Sequence, residues 1–99
     1  MKVRILTPAI QDMVLGAEFY EKEEKGLGEF FLDNLFREVD SLEVYAGVHS
    51  LHFGFHRLLS KRFPYGIYYR VIAGEVVVFR VLDCRRDPRK NRSELRKMR

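Results

Sequence analysis

Lys2-Val3-Arg4-Ile5-Leu6 alternates polar and apolar side chains, the period of a half-buried strand. Thr7-Pro8 follows and predicts a helix start. Thr serves as N-cap, and Pro takes the first helical position, where its missing N–H costs nothing. Ile10, Met13, Val14, Ala17 and Tyr20 then form one helical face, with Asp12, Glu18, Glu21 and Glu23 mostly off it. Gly26-Leu27-Gly28 breaks that helix. A second is predicted from about Glu29 to Leu42, where Phe31, Leu35, Val39 and Leu42 repeat at core spacing. Two amphipathic helices joined by a glycine turn predict an antiparallel helical hairpin.

The pattern weakens after Val44, and residues 47–54, between two glycines, read as a loop. Phe55–Ser60 is the weakest strand candidate, Tyr65–Ile72 a clearer one and Glu75–Leu82 the clearest. Ala73-Gly74 joins the last two as a hairpin. Ile67, Tyr69 and Val71 are assigned to the face under the helices, over which Phe31 and Leu35 should pack. Val77, Phe79 and Val81 are expected to join them, leaving Tyr68, Arg70 and Arg80 on the opposite face. A two-residue loop puts these sets out of phase, whereas a three-residue loop with a bulge does not, and the bulged form is the expected one. The order β-α-α-β-β-β predicts an α+β domain, an antiparallel sheet with a helical hairpin on one face. Residues 89–99 form a basic tail, read as a short helix or a frayed end.

Ninety-nine residues suffice for one domain, 1–99, and 46% hydrophobic with 32% charged residues is the composition of a folded soluble chain. No apolar run reaches the length of a membrane span and the N-terminus has no signal-peptide pattern, so a cytoplasmic location is expected. The lone Cys84 fits a reducing compartment. Charge changes the picture more. Residues 1–50 carry five bases against ten acids, a net of −5, whereas residues 51–99 carry thirteen against four, a net of +9. Such asymmetry points to one surface for an anionic partner, against the plainer reading of a solvated, salt-bridged surface.

Few chemistries fit. The acids cluster on the helices and His49, His52 and His56 have no acidic neighbours, so neither a metal nor a cofactor is expected. There is no glycine-rich phosphate loop and no nucleophile elbow. Metal-free RNA cleavage needs a base, an acid and cations for the charge that builds on phosphorus. Arg85, Arg86 and Arg62 are the candidate catalytic cations, and His56 is the neutral-pH base near them. Arg57, Lys61, Tyr68, Arg70, Arg80 and Arg89 are candidates for gripping an anion, an RNA or a protein target, Tyr68 by stacking.

The stretch FPYGIYYRV followed by VVVFRVLDCRRDP resembles the signature of the RelE/ParE toxin superfamily, the toxins of type II toxin–antitoxin, or plasmid-stabilisation, systems. An FYE segment, the Gly-Leu-Gly turn and FFLDNL extend the resemblance over nearly the whole chain. It implies the fold already derived, a cognate antitoxin that wraps the toxin, and a homodimer or a heteromeric toxin–antitoxin complex. It also implies one of two activities: non-enzymatic inhibition of DNA gyrase, as in ParE-like members, or metal-free mRNA cleavage in the ribosomal A site, as in RelE-like members. Two departures favour the first. Gly66 stands where RelE-like nucleases carry an arginine, and Asn91 stands near the position of their tyrosine. Asp83 replaces the family's usual histidine after the last strand, 89–92 lacks its usual aromatic, and only Arg85 carries over cleanly.

Overall fold

A computed structural model describes residues 1–98. The elements run β1 (Lys2–Ile5), α1 (Thr7–Glu23), α2 (Leu27–Asp40), α3 (Leu42–Tyr45), β2 (Leu51–His52), β3 (Phe55–Leu59), β4 (Tyr65–Ile72), β5 (Glu75–Asp83) and α4 (Pro88–Arg96). The strands form one sheet in the order β1-β5-β4-β3-β2. The expected antiparallel meander is β3 to β5, and β2 extends it by one more antiparallel strand. The first strand pairs parallel to β5, Lys2 opposite Glu75, so the sheet as a whole is mixed. Two features lie beyond the sequence reading: the two-residue strand β2, inside the segment read as loop, and the turn of helix α3.

The helical hairpin packs on one sheet face, as expected, with Phe31 and Leu35 fully buried against it. Glu21 fixes the turn: its carboxylate accepts from the Gly26 and Gly28 backbone N–H groups at 3.0–3.1 Å. Those bonds hold its carboxyl below the usual range and satisfy orphan donors at the start of α2. Gly28 lies where the helices touch, and a Cβ there would sit 2.6 Å from the Ala17 carbonyl oxygen. The buried face of α1 is Ala9, Met13, Gly16 and Tyr20. Ile10 and Val14, assigned to the core, are 42% and 46% exposed. Small residues explain the rotation, because Ala9 and Gly16 let the helix lie close where branched side chains would hold it away. Leu6, not Thr7, occupies the N-cap position, and Pro8 lies in the first turn.

The last hairpin corrects the strand phase. Ala73-Gly74 forms a two-residue turn with φ of 51° and 78°, joining Ile72 to Glu75. Both central residues are left-handed, the twist-matched geometry of tight hairpins. A bulge exists, but inside β5: Tyr68 pairs with Arg80 and Tyr69 with Val78, leaving Phe79 as the extra residue. Val76, Val78 and Val81 therefore join Ile67 and Tyr69 under the helices. Val77 and Phe79 instead face the other side with Phe55, Tyr68, Leu82 and Leu95, and Val71 is 40% exposed at the strand end. An almost uniformly apolar strand does not declare which alternate set is inward.

The second cluster is covered by α4, whose Leu95 is fully buried. The tail is thus helical at residues 88–96; Arg99 lies outside the described residues. Asp87 caps the helix by accepting from the Arg89 N–H at 2.9 Å, and Pro88 opens it.

Candidate functional site

The charge asymmetry becomes a difference between two sides of the molecule. All ten acids of residues 1–50 lie on α1, α2, α3 or the turn after α1. On β1, Val3 and Ile5 pack beneath the helices, so alternation turns Lys2 and Arg4 to the opposite side. Arg57 and Arg70 share that side with Phe55 and Tyr68, and α4 adds Arg89, Lys90, Arg92, Arg96 and Lys97.

Three candidate arginines are held by carboxylates. Arg80 donates through Nε and Nη2 to Asp12 of α1 at 2.7 and 2.8 Å, and through Nη1 to Glu94 of α4 at 2.8 Å. Asp12 also accepts the Val81 N–H at 2.9 Å, where β1 has ended and β5 has lost its neighbour. Arg80 thereby ties helices on both sides of the sheet, and these bonds hold its pKa above the ordinary arginine value. Arg85 donates to Asp83 through Nε and Nη2 at 3.1 and 2.9 Å. Burial alone would raise the Asp83 carboxyl, but the Arg85 guanidinium and backbone N–H hold it below the usual range. Arg89 donates to Asp87 at 2.9 Å.

Arg85 and Arg86 line a cleft of about 210 Å³ with Leu15 and Phe19 of α1, Tyr65 and Asp83. Burial, then the Asp83 carboxylate, pushes the Tyr65 phenol up to about 12. The Arg86 Nε is buried without a hydrogen-bond partner among the described residues. A second cavity of about 130 Å³ joins Arg57, Tyr68, His52, Cys84 and Asn91. Tyr68 is 2% exposed, which leaves no ring face on which a base can stack. Burial pushes its phenol up, with Arg57 beside it pulling the other way. Arg70 lies 4.0 Å over the Phe55 ring and donates to the Gly54 carbonyl.

The remaining candidates lie elsewhere. Lys61 and Arg62 border a groove beside Asn34, Arg37 and Glu38 of α2. The His56 ring stacks on Tyr69, and its Nδ1 donates to the His49 carbonyl at 2.6 Å. The structure thus groups Arg85 with Arg86 and Arg57 with Tyr68, and leaves Arg62 and His56 apart from both. No cluster of His, Cys, Asp or Glu among the described residues can hold a metal.

Sequence reasoning missed the partners more than the arginines. Asp83-Cys84-Arg85 and Asp87-Pro88-Arg89 repeat one Asp-x-Arg spacing, and each Asp accepts from the Arg two residues on. That repetition was legible. Asp12 was not, because it meets Arg80 across 68 positions of chain. Asn91 is 5% exposed and donates from Nδ2 to the Asp83 carbonyl at 2.9 Å, so it locks α4 to the end of β5.

No protein-family model and no curated protein matches the sequence. Among solved structures the chain is similar to one of the chromosomal ParDE TA system from P. aeruginosa, at 22% identity and a TM-score of 0.69. The match covers 82% of this chain and 92% of that chain. The shared feature is the fold. No helix of the described residues is long and apolar enough to cross a membrane.

Proposed function

We propose that this chain is the toxin of a type II toxin–antitoxin pair, cytoplasmic, neutralised by a cognate antitoxin, and acting in the ParE-like manner. It would bind a protein target such as DNA gyrase and carry out no chemistry on it. The fold shared with the P. aeruginosa ParDE system supports the toxin–antitoxin reading. The observation that carries the non-enzymatic mode is the engagement of the candidate catalytic cations. Of the four candidate catalytic residues, Arg85 is already bonded to the Asp83 carboxylate, His56 and Arg62 stand outside the cleft of Arg85 and Arg86, and Arg86 alone is left there without a carboxylate partner among the described residues. A transition state for phosphodiester cleavage needs preorganised donors aimed at the developing charge. Donors already paired to Asp would have to be pulled from it first.

The test is a supercoiling assay with purified protein and gyrase, run beside primer extension on translating ribosomes. Inhibition of supercoiling without codon-specific mRNA cuts is expected, with relief on adding the partner encoded beside it. Position-specific cuts lost in Arg85→Ala would overturn the reading in favour of the nuclease.

A further inference from the structure

Helix α4 turns one side to the sheet, where Asn91 and Leu95 are buried, and the other to solvent. From Arg89 to Lys97 the exposed positions are Arg89, Lys90, Arg92, Ser93, Arg96 and Lys97, five bases and one serine. At about 100° per residue they fill one continuous arc of about 160°, with Ser93 near its middle and Asn91 and Leu95 opposite. The acids at this end of the molecule do not break the arc. Asp83, Asp87 and Glu94 are taken up by Arg85, Arg89 and Arg80, and Lys97 meets Glu94 only at 3.8 Å. Lys90, Arg92 and Arg96 have no carboxylate partner among the described residues. Residues 80–98 carry eight bases against three acids, a net of +5. Arg4 adds an exposed charge on the same side, because it pairs with Val77, which packs with Leu95.

What the arc lacks decides its partner. It carries no aliphatic side chain and no ring, whereas the Arg85 cleft has the exposed Leu15 and Phe19 beside it. A protein interface centres on desolvated aromatic and aliphatic anchors and is poor in lysine. A helix that lies on a membrane needs its apolar side free, and the apolar side of α4 is packed on the sheet through Leu95. Single-stranded nucleic acid is held by bases stacked on rings. A duplex asks for none of these, since its bases are stacked inward and its phosphates face out. The nine residues of α4 span about 13 Å, a length over which duplex DNA carries roughly eight phosphates. A helix about 10–12 Å across matches the B-form major groove, about 12 Å wide, so both edges of the arc meet phosphates of the groove walls. The major groove of A-form RNA is too narrow for that fit.

We infer that the exposed face of α4 is a binding surface for the phosphate backbone of duplex DNA, gripped by Lys90, Arg92, Arg96 and Lys97 without regard to base sequence. The surface is separate from the Arg85–Arg86 cleft, so the two can be occupied together. A target that itself holds DNA, as gyrase does, would offer both at once; that consequence alone rests on the function proposed above.

Fluorescence anisotropy of the purified chain tests this with labelled duplexes of about 20 base pairs, two unrelated DNA sequences and one double-stranded RNA, beside single-stranded DNA and polyglutamate as competitors. The two DNA duplexes should bind equally, and more tightly than the other three. Four phosphate contacts set the slope of log K against log salt near −4, so binding should be roughly a hundredfold weaker at about 200 mM salt than at about 50 mM. Arg92→Ala with Arg96→Ala should bring that slope up by about 2, and Arg92→Lys with Arg96→Lys should keep it. Lys22→Ala with Lys25→Ala, on the acidic side, should change nothing. Circular dichroism checks that each variant is folded; if the alanine pair is not, the lysine pair and the parent slope decide. No DNA binding at about 50 mM salt would overturn the inference, as would a parent slope shallower than about −2. So would binding indifferent to the alanine pair, binding lost in the lysine pair, or equal or tighter binding of double-stranded RNA, single-stranded DNA or polyglutamate. Neither gyrase nor a ribosome is present, so failure here leaves the proposed function standing.

Discussion

Asp12→Ala removes the carboxylate that holds three donors at once, both branches of the Arg80 fork and the Val81 N–H. The side chains of Asp12 and Arg80 are 12% and 14% exposed, so water replaces little of what is lost. Breaking a buried pair by removing one partner costs about 3–5 kcal/mol. The stranded backbone N–H alone accounts for about 1–3 kcal/mol of such a loss. Arg80 keeps its bond to Glu94, which sets the expectation at the low end, about 3 kcal/mol. For a domain whose total stability is about 5–15 kcal/mol, that is a large share. It corresponds to a fall in Tm of roughly 12–24 °C at this size. Asp12→Asn keeps an acceptor for Val81 and should lose about half as much. Glu94→Ala should lose under about 1 kcal/mol, because that carboxylate is 30% exposed and accepts one Arg80 bond, its other ion pair being a 3.8 Å contact with the exposed Lys97. Urea denaturation with a common m-value measures all three. A loss below about 1 kcal/mol in Asp12→Ala, or equal losses at Asp12 and Glu94, would show that Arg80 is not the clamp between α1 and α4.

Phe79→Ala should cost about 3–5 kcal/mol, and because Phe79 and Leu95 share one cluster its effect should be smaller in a Leu95→Ala background; additive losses would mean that α4 does not rest on the bulge. Gly28→Ala should destabilise by about 1–3 kcal/mol despite its gain in helix propensity, because the new Cβ meets the Ala17 carbonyl oxygen, which is backbone and cannot turn aside; a neutral result would show that α1 and α2 can separate freely. His49 gives a pH prediction: burial, then neighbouring His56, holds its imidazole below the ordinary value of 6.5. Its Nδ1 meets the Tyr69 hydroxyl, which accepts from Gly47 and so donates to a neutral ring. The folded state then binds fewer protons than the unfolded one, so stability should fall as pH drops from 6.5 through the depressed folded value. Denaturation midpoints at several pH values should show this in the parent and a flatter profile in His49→Gln; matching profiles would remove the clasp.

What the sequence made legible was whatever a local period encodes. The helical hairpin, its glycine turn and the strands Tyr65–Ile72 and Glu75–Asp83 follow from spacing and punctuation. Phase was less accessible. Along EVVVFRVLD either alternate set is apolar enough to be core, and the bulge at Phe79 lets both sides use it. The face of α1 failed for a related reason: Ala9 and Gly16 carry little hydrophobic signal, yet their small size decides how the helix sits. The parallel pairing of β1 with β5 and the bond from Asp12 to Arg80 join distant segments, which no local pattern records. At the candidate site the residue types were visible, while their partners were visible only for the two Asp-x-Arg repeats.

Those repeats bear on what the basic corner can do. An ion pair whose arginine is 52% exposed, as Arg85 is, or 81%, as Arg89 is, contributes only about 0–1 kcal/mol. Exchanging Asp83 or Asp87 for a carboxylate on another protein is therefore nearly neutral, and the guanidinium fork keeps its geometry throughout. A docking surface can use such exchange, because it needs complementarity rather than unpaired charge. Phosphodiester chemistry cannot use it as well, since an arginine that must first leave its aspartate meets the transition state without the preorganisation that makes electrostatic catalysis large. Phe19 lies beside the same corner, 5.8 Å from the Arg85 guanidinium, and adds an exposed ring to the cleft. Exchangeable arginines next to an exposed aromatic form the kind of surface on which a protein partner anchors.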